Sequence, residues 1–106
     1  MSRSPFLPAF LAALVIGGSP VLAQPDVVRI DEPKLEGVLL DWCRKFGDRC
    51  GQPAADAYCR TSGHRRSVRF VQWIDPGKPT KIISDGSICD APVCDSFRWI
   101  ECQARN

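Results

Sequence analysis

A chain of 106 residues with 14 basic and 12 acidic side chains carries a net charge of only +2, too even a balance for a nucleic-acid-binding surface. Six cysteines against one histidine point to disulfides rather than a metal site. Zinc ligands come as cysteine pairs two to four residues apart, and only Cys89 and Cys94 approach that spacing, so no metal or other cofactor is expected.

The chain opens MSRSPFLPAFLAALVIGGSPVLAQ. Arg3 gives a positive start, and Phe6 to Gly17 form an apolar run as long as a signal-peptide core but too short to span a bilayer. Val21-Leu22-Ala23 supply the cleavage signal, so residues 1–23 read as a signal peptide cut after Ala23, with no twin arginine and no lipid-carrying cysteine at the cut. Removing 23 of the 106 residues leaves 83, one domain with 13 basic and 12 acidic side chains. We expect it to be secreted or periplasmic, without stable membrane insertion. All six cysteines (Cys43, Cys50, Cys59, Cys89, Cys94, Cys102) follow the cut and read as three disulfides. A domain this small buries little apolar surface. Three bridges at about 2–4 kcal/mol each therefore weigh heavily against a total stability of about 5–15 kcal/mol.

Residues 24–32 (QPDVVRIDE) read as an extended, polar lead-in, and residues 33–106 as the disulfide-stabilised domain. In PKLEGVLLDWCRKFG, Leu35, Val38, Leu39, Trp42, Cys43 and Phe46 recur at helical spacing, with Asp31 or Glu32 at the entrance and Gly47 at the exit. A first helix is expected there. A strand is the alternative, because Val38, Leu40 and Trp42 also alternate, and Gly37 weakens a helix. The stretch from Cys50 to Cys59, CGQPAADAYC, opens a second helix: Pro53 suits a first turn, Ala54, Ala55 and Ala57 favour helix, and Gly63 fits the exit. Asp56 and Arg60 are spaced as an i,i+4 pair. Ala55, Tyr58, Cys59 and Ser62 share a face, which points Cys59 inward toward a bridge across the core.

Strands follow at Ser67–Ile74, at Lys81–Ser84, at Ser87–Cys89 after the hairpin signal Asp85-Gly86, and at Ser96–Cys102. Asp75–Thr80 and Asp90–Val93 are loops, and QARN is a short polar tail. The expected fold is α+β: two short helices packed on a three- to four-stranded antiparallel sheet. Six cysteines allow fifteen pairings. Of these we expect Cys59–Cys102, Cys43–Cys50 and Cys89–Cys94.

The frame W-C-x6-C-G-x-P-A-A-D-A-Y-C at Trp42–Cys59, followed by Gly63, Phe70, Asp85-Gly86, Cys89, Cys94, Phe97, Ile100 and Cys102, resembles small secreted six-cysteine proteins of plants and bacteria. It covers about residues 41–102. The resemblance implies a disulfide-framed fold and carries neither an activity nor catalytic residues.

No motif points to catalysis. His64 stands at a helix exit beside Arg65 and Arg66, with no partner at a diagnostic spacing. Ser62 and Ser67 lie in no G-x-S-x-G turn, and oxidised cysteines offer no thiolate. Asp75, Asp85, Asp90 and Asp95 sit where turns need them and not at calcium-loop spacing. The one local concentration of charge is Arg60, Arg65, Arg66 and Arg69, whose guanidinium forks suit phosphate, sulfate and carboxylate groups. The plainer reading is a solvated face balanced by Asp56 and Asp48. Trp73, near a strand end, is the tryptophan best placed for contacts, while Trp42 and Trp99 read as core. The expectation is a non-catalytic binding module for an anionic glycan, lipid headgroup or protein, with Arg60, Arg65, Arg66, Arg69 and Trp73 as contacts. The alternative is a secreted enzyme inhibitor or toxin-like effector presenting Asp75–Thr80 or Asp90–Val93. A small hydrolase using His64 with an aspartate is a third class.

Overall fold

The computed structural model describes residues 26–105, so the expected signal peptide and the expected cut after Ala23 lie outside the described residues. The described residues form an α+β fold with one helix, α1 (Gln52–Thr61), and nine strands: β1 (Val27–Asp31), β2 (Lys34–Leu35), β3 (Val38–Leu40), β4 (Cys43–Lys45), β5 (Asp48–Cys50), β6 (Ser67–Trp73), β7 (Thr80–Lys81), β8 (Ile88–Cys89) and β9 (Ser96–Gln103). The main sheet is antiparallel in the order β1-β9-β6. A four-stranded sheet, β2-β3-β7-β8, is antiparallel except where β3 runs parallel to β7, and β4 and β5 form a separate ribbon.

The expected first helix is absent: residues 34–50 fold as two hairpins. Glu36 and Gly37 join β2 to β3 with φ of 51° and 84°. A two-residue turn with both φ positive matches the twist of antiparallel strands and cannot continue a helix. The alternation of Val38, Leu40 and Trp42 is therefore the period that is realised. Leu39 and Leu40 are buried on opposite faces of β3. Gly47, read as a helix exit, is a hairpin turn residue with φ of 67°. Phe46 beside it is 67% exposed instead of lying on an apolar helix face.

Within the lead-in, Val27–Asp31 is extended as expected, but it is also a strand of the main sheet, pairing Val27 with Gln103 and Asp31 with Trp99. The expected strands at Ser67–Ile74 and Ser96–Cys102 are β6 and β9, each within one residue. Lys81–Ser84 is strand only at its start, in β7, because the chain turns back at Ile82. The Ile82 N–H donates to the Ser87 carbonyl at 2.8 Å, and Gly86 N–H donates to the Ile82 carbonyl at 2.7 Å. The Asp85 carboxylate accepts from the Ser87 N–H and hydroxyl, which holds its pKa below the usual 3.8. Glu36 is held below 4.5 by the hydrogen bond that Lys81 Nζ donates to it and then by the Lys81 charge. Both carboxyls have depressed folded-state values. Their stabilisation is present above the unfolded values and is lost as pH falls through the folded ones. Side-chain carbonyl shifts followed by NMR are expected to give midpoints below 3.8 for Asp85 and below 4.5 for Glu36. Midpoints at or above those values would remove both contacts from solution.

All three expected disulfides form: Cys43–Cys50, Cys59–Cys102 and Cys89–Cys94. Around the second, α1 lays Ala54, Ala55, Tyr58 and Cys59 against Phe97, Ile100 and Cys102 of β9 and Leu40 of β3. Trp42, Phe70 and Phe97 meet at its border, with centroids 4.8–5.6 Å apart. Trp42 thus packs from the β3–β4 connection and not from a helix.

The helix begins after Gly51, which has φ of 78° and lies so close to Trp42 that a Cβ there would stand 3.3 Å from the indole. It ends with Gly63 in the left-handed region. His64 N–H donates to the Cys59 carbonyl at 2.8 Å and Gly63 N–H to the Arg60 carbonyl at 3.1 Å, which satisfies carbonyls of the last helical turn. A ten-residue helix is marginal alone in water. The buried Cys59–Cys102 bridge fixes its far end to the central strand.

Candidate functional site

The helix exit delivers Arg60, Arg65 and Arg66 to one surface depression of about 350 Å³, which Gln103 and Arg105 complete. Two backbone hydrogen bonds place the loop beside the end of β9. Arg65 N–H donates to the Gln103 carbonyl at 2.8 Å, and Gln103 N–H donates to the Arg66 carbonyl at 2.9 Å. Cys59 and Cys102, bonded to each other, immediately precede Arg60 and Gln103. The disulfide therefore clamps together the two segments that carry the charge.

Next in the loop, Ser67 is anchored to the helix. The Asp56 carboxylate accepts from Ser67 N–H at 2.9 Å, from the Ser67 hydroxyl at 3.0 Å and from the Gln52 amide at 2.7 Å. The expected Asp56–Arg60 pair is not made, because the acid is turned toward β6. Asp48 accepts from the Arg49 N–H. Among the described residues, no carboxylate forms an ion pair with Arg60, Arg65, Arg66 or Arg105.

Two of the expected contact residues lie elsewhere. Arg69 reaches across the main sheet and grips Glu101 through Nη2 at 2.6 Å and Nε at 2.8 Å, so its charge is neutralised by an almost buried acid. Trp73 is at the other end of β6, about 20 Å from Ser67 at strand rise, and is covered by the Arg98 guanidinium 4.4 Å from its ring centre. Arg29 covers Trp99 in the same way at 4.2 Å. Arg105, in the tail, is a site residue that the sequence cluster does not contain. The signal that reaches it is the bridge itself, since joining Cys59 to Cys102 draws the residues after each toward one another.

The Asp75–Thr80 and Asp90–Val93 loops face each other. Asp75, Lys78 and Pro79 line one side of a cleft of about 340 Å³, and Asp90, Ala91 and Pro92 line the other. The Asp95 carboxylate pins the first loop, accepting from Asp75 N–H at 2.8 Å and from the Gln72 amide at 3.0 Å. Val93, inside the Cys89–Cys94 loop, is 82% exposed. His64 lines neither this cleft nor the arginine depression. Among the described residues, no group of three or more His, Cys, Asp or Glu is placed to hold a metal ion.

No helix among the described residues is long and apolar enough to cross a membrane. Three disulfides are consistent with an oxidising environment. No protein-family model matches the chain, and neither the curated proteins nor the solved structures yield a match.

Proposed function

We propose that this is an exported, non-catalytic binding module that takes anionic ligands in the depression formed by Arg60, Arg65, Arg66 and Arg105. One observation carries the reading: four arginines from three segments meet with no carboxylate ion-paired to them among the described residues. Charges held together in a nearly neutral chain repel one another, and an anionic ligand relieves that repulsion.

The test is binding of the disulfide-intact protein to dextran sulfate, with uncharged dextran as the control. Affinity is expected to fall steeply as salt rises, because exposed charges are screened over about 8 Å at physiological ionic strength. Changing Arg60, Arg65 and Arg66 to alanine is expected to weaken binding at least tenfold. The double change Arg69→Gln with Glu101→Gln, which removes the fourth arginine of the sequence cluster without stranding its acid, is expected to leave binding unchanged. Equal loss from both variants would mean that binding depends as much on Arg69, outside the depression, and that this depression is not the site.

The paired loops favour a second reading, a secreted inhibitor or effector that presents Val93 on a disulfide-closed loop. That reading requires a tight protein partner whose binding is indifferent to the three arginine changes and is lost on Val93→Asp.

A further inference from the structure

The arginine depression has a chemistry more specific than positive charge, and the choice of ligand made from it rests on the anion-binding function proposed for the same site. Among the described residues its lining comes from four arginines and one glutamine: Arg60, Arg65, Arg66, Arg105 and Gln103. Beyond the arginine and glutamine stems, that lining holds no aromatic ring on which a sugar would stack and no branched aliphatic side chain to form an acyl slot. Recognition has to come from charge and donated hydrogen bonds. Each guanidinium presents five N–H donors in a planar fork, and a single carboxylate is matched by one such fork in one plane. Four forks arriving from the helix end, the following loop and the tail after β9 exceed what a lone carboxylate can accept. A phosphoryl group presents three strong acceptor oxygens and about −1.5 to −2 charges, so two of them side by side come close to balancing four arginines.

The frame under the forks is fixed. Arg65 and Arg66 are held to Gln103 by two backbone hydrogen bonds, and the Cys59–Cys102 bridge lies directly behind them. A fixed backbone leaves only the exposed arginine side chains to be ordered when a ligand binds. We infer that the depression formed by Arg60, Arg65, Arg66 and Arg105 is a site for a ligand carrying two adjacent phosphoryl groups, either a soluble diphosphate or a diphosphorylated lipid headgroup.

Titration calorimetry of the disulfide-intact protein with pyrophosphate, orthophosphate and citrate tests this. Pyrophosphate is expected to bind at least tenfold more tightly than either of the others. Arg65→Lys with Arg66→Lys, which keeps the charge and removes two forks, is expected to erase that preference while leaving weak binding of all three anions. Near-UV circular dichroism confirms that the variant is folded. Citrate binding as tightly as pyrophosphate would overturn the phosphoryl assignment and leave the anion-binding function standing. If none of the three anions nor dextran sulfate binds at low salt, both fall. Flotation with phosphatidylcholine vesicles containing diacylglycerol pyrophosphate separates the two sources: co-flotation assigns the headgroup, and pyrophosphate binding without co-flotation assigns the soluble ligand.

Discussion

Replacing Cys59 and Cys102 together by alanine is expected to cost about 4 kcal/mol of folding stability, the largest loss from removing any of the three bridges. The Cys59–Cys102 bridge spans 43 residues of sequence, against 7 for Cys43–Cys50 and 5 for Cys89–Cys94. In the chain-entropy account the constraint on the unfolded chain grows with the closed loop, which gives about 2.5 and about 2 kcal/mol for the two short loops. Burial adds to the difference. Cys59 and Cys102 are both fully enclosed, so alanine at these positions also leaves unfilled space, whereas Cys50 is exposed. Against a total of about 5–15 kcal/mol for a small domain, such a loss brings the protein close to its folding threshold. Guanidinium unfolding followed by circular dichroism measures it. The Cys43→Ala/Cys50→Ala variant is the comparison, and a cost for that pair equal to or larger than for Cys59/Cys102 would mean that the long bridge is not the main staple. The same Cys59/Cys102 change is expected to weaken dextran sulfate binding in whatever fraction stays folded, since Arg60 and Gln103 lose the link that holds them together.

The helix is legible in the sequence because its signals are local and agree with one another. Pro53, the alanines and Gly63 mark its ends, and the inward aim of Cys59 follows from its place on the same face as Ala55 and Tyr58. The strands β6 and β9 are legible from their β-branched and aromatic content. Residues 34–46 mislead because two periods overlap there: Leu35, Val38, Leu39 and Trp42 recur at helical spacing, while Val38, Leu40 and Trp42 alternate as in a strand. What separates the two is backbone conformation at Glu36 and Gly37, and that depends on β3, at Leu39, finding β7, at Thr80, far along the chain. The site is half legible. Arg60, Arg65 and Arg66 are neighbours in sequence and stay neighbours in space. Arg69 is only a little farther along, but its strand carries it out of the depression to Glu101 on β9. Sequence distance along a strand carries no such information until the partner strand and its register are known.

Phe97→Ala is expected to cost about 3–5 kcal/mol, while Phe46→Ala is expected to cost almost nothing. Phe97 is wholly enclosed on the central strand, its ring 4.8 Å from Trp42 and 5.6 Å from Phe70, and the Ser96 hydroxyl beside it donates to the Leu40 carbonyl at 2.6 Å. Truncating it opens a cavity where the main sheet, the helix and β3 meet, and it removes two aromatic contacts as well as apolar burial. Phe46 stands 67% exposed at the tip of the β4–β5 ribbon, so its removal strips little buried surface. The two changes also decide between the competing structures of residues 34–46. A helix with Leu35, Trp42 and Phe46 on its apolar face would bury Phe46 and make its loss costly, whereas the hairpin leaves it in solvent. Denaturation midpoints of the two variants, read from tryptophan fluorescence, make the comparison. A Phe46→Ala cost within about 1 kcal/mol of the Phe97→Ala cost would restore the helix and take the Glu36-Gly37 turn away.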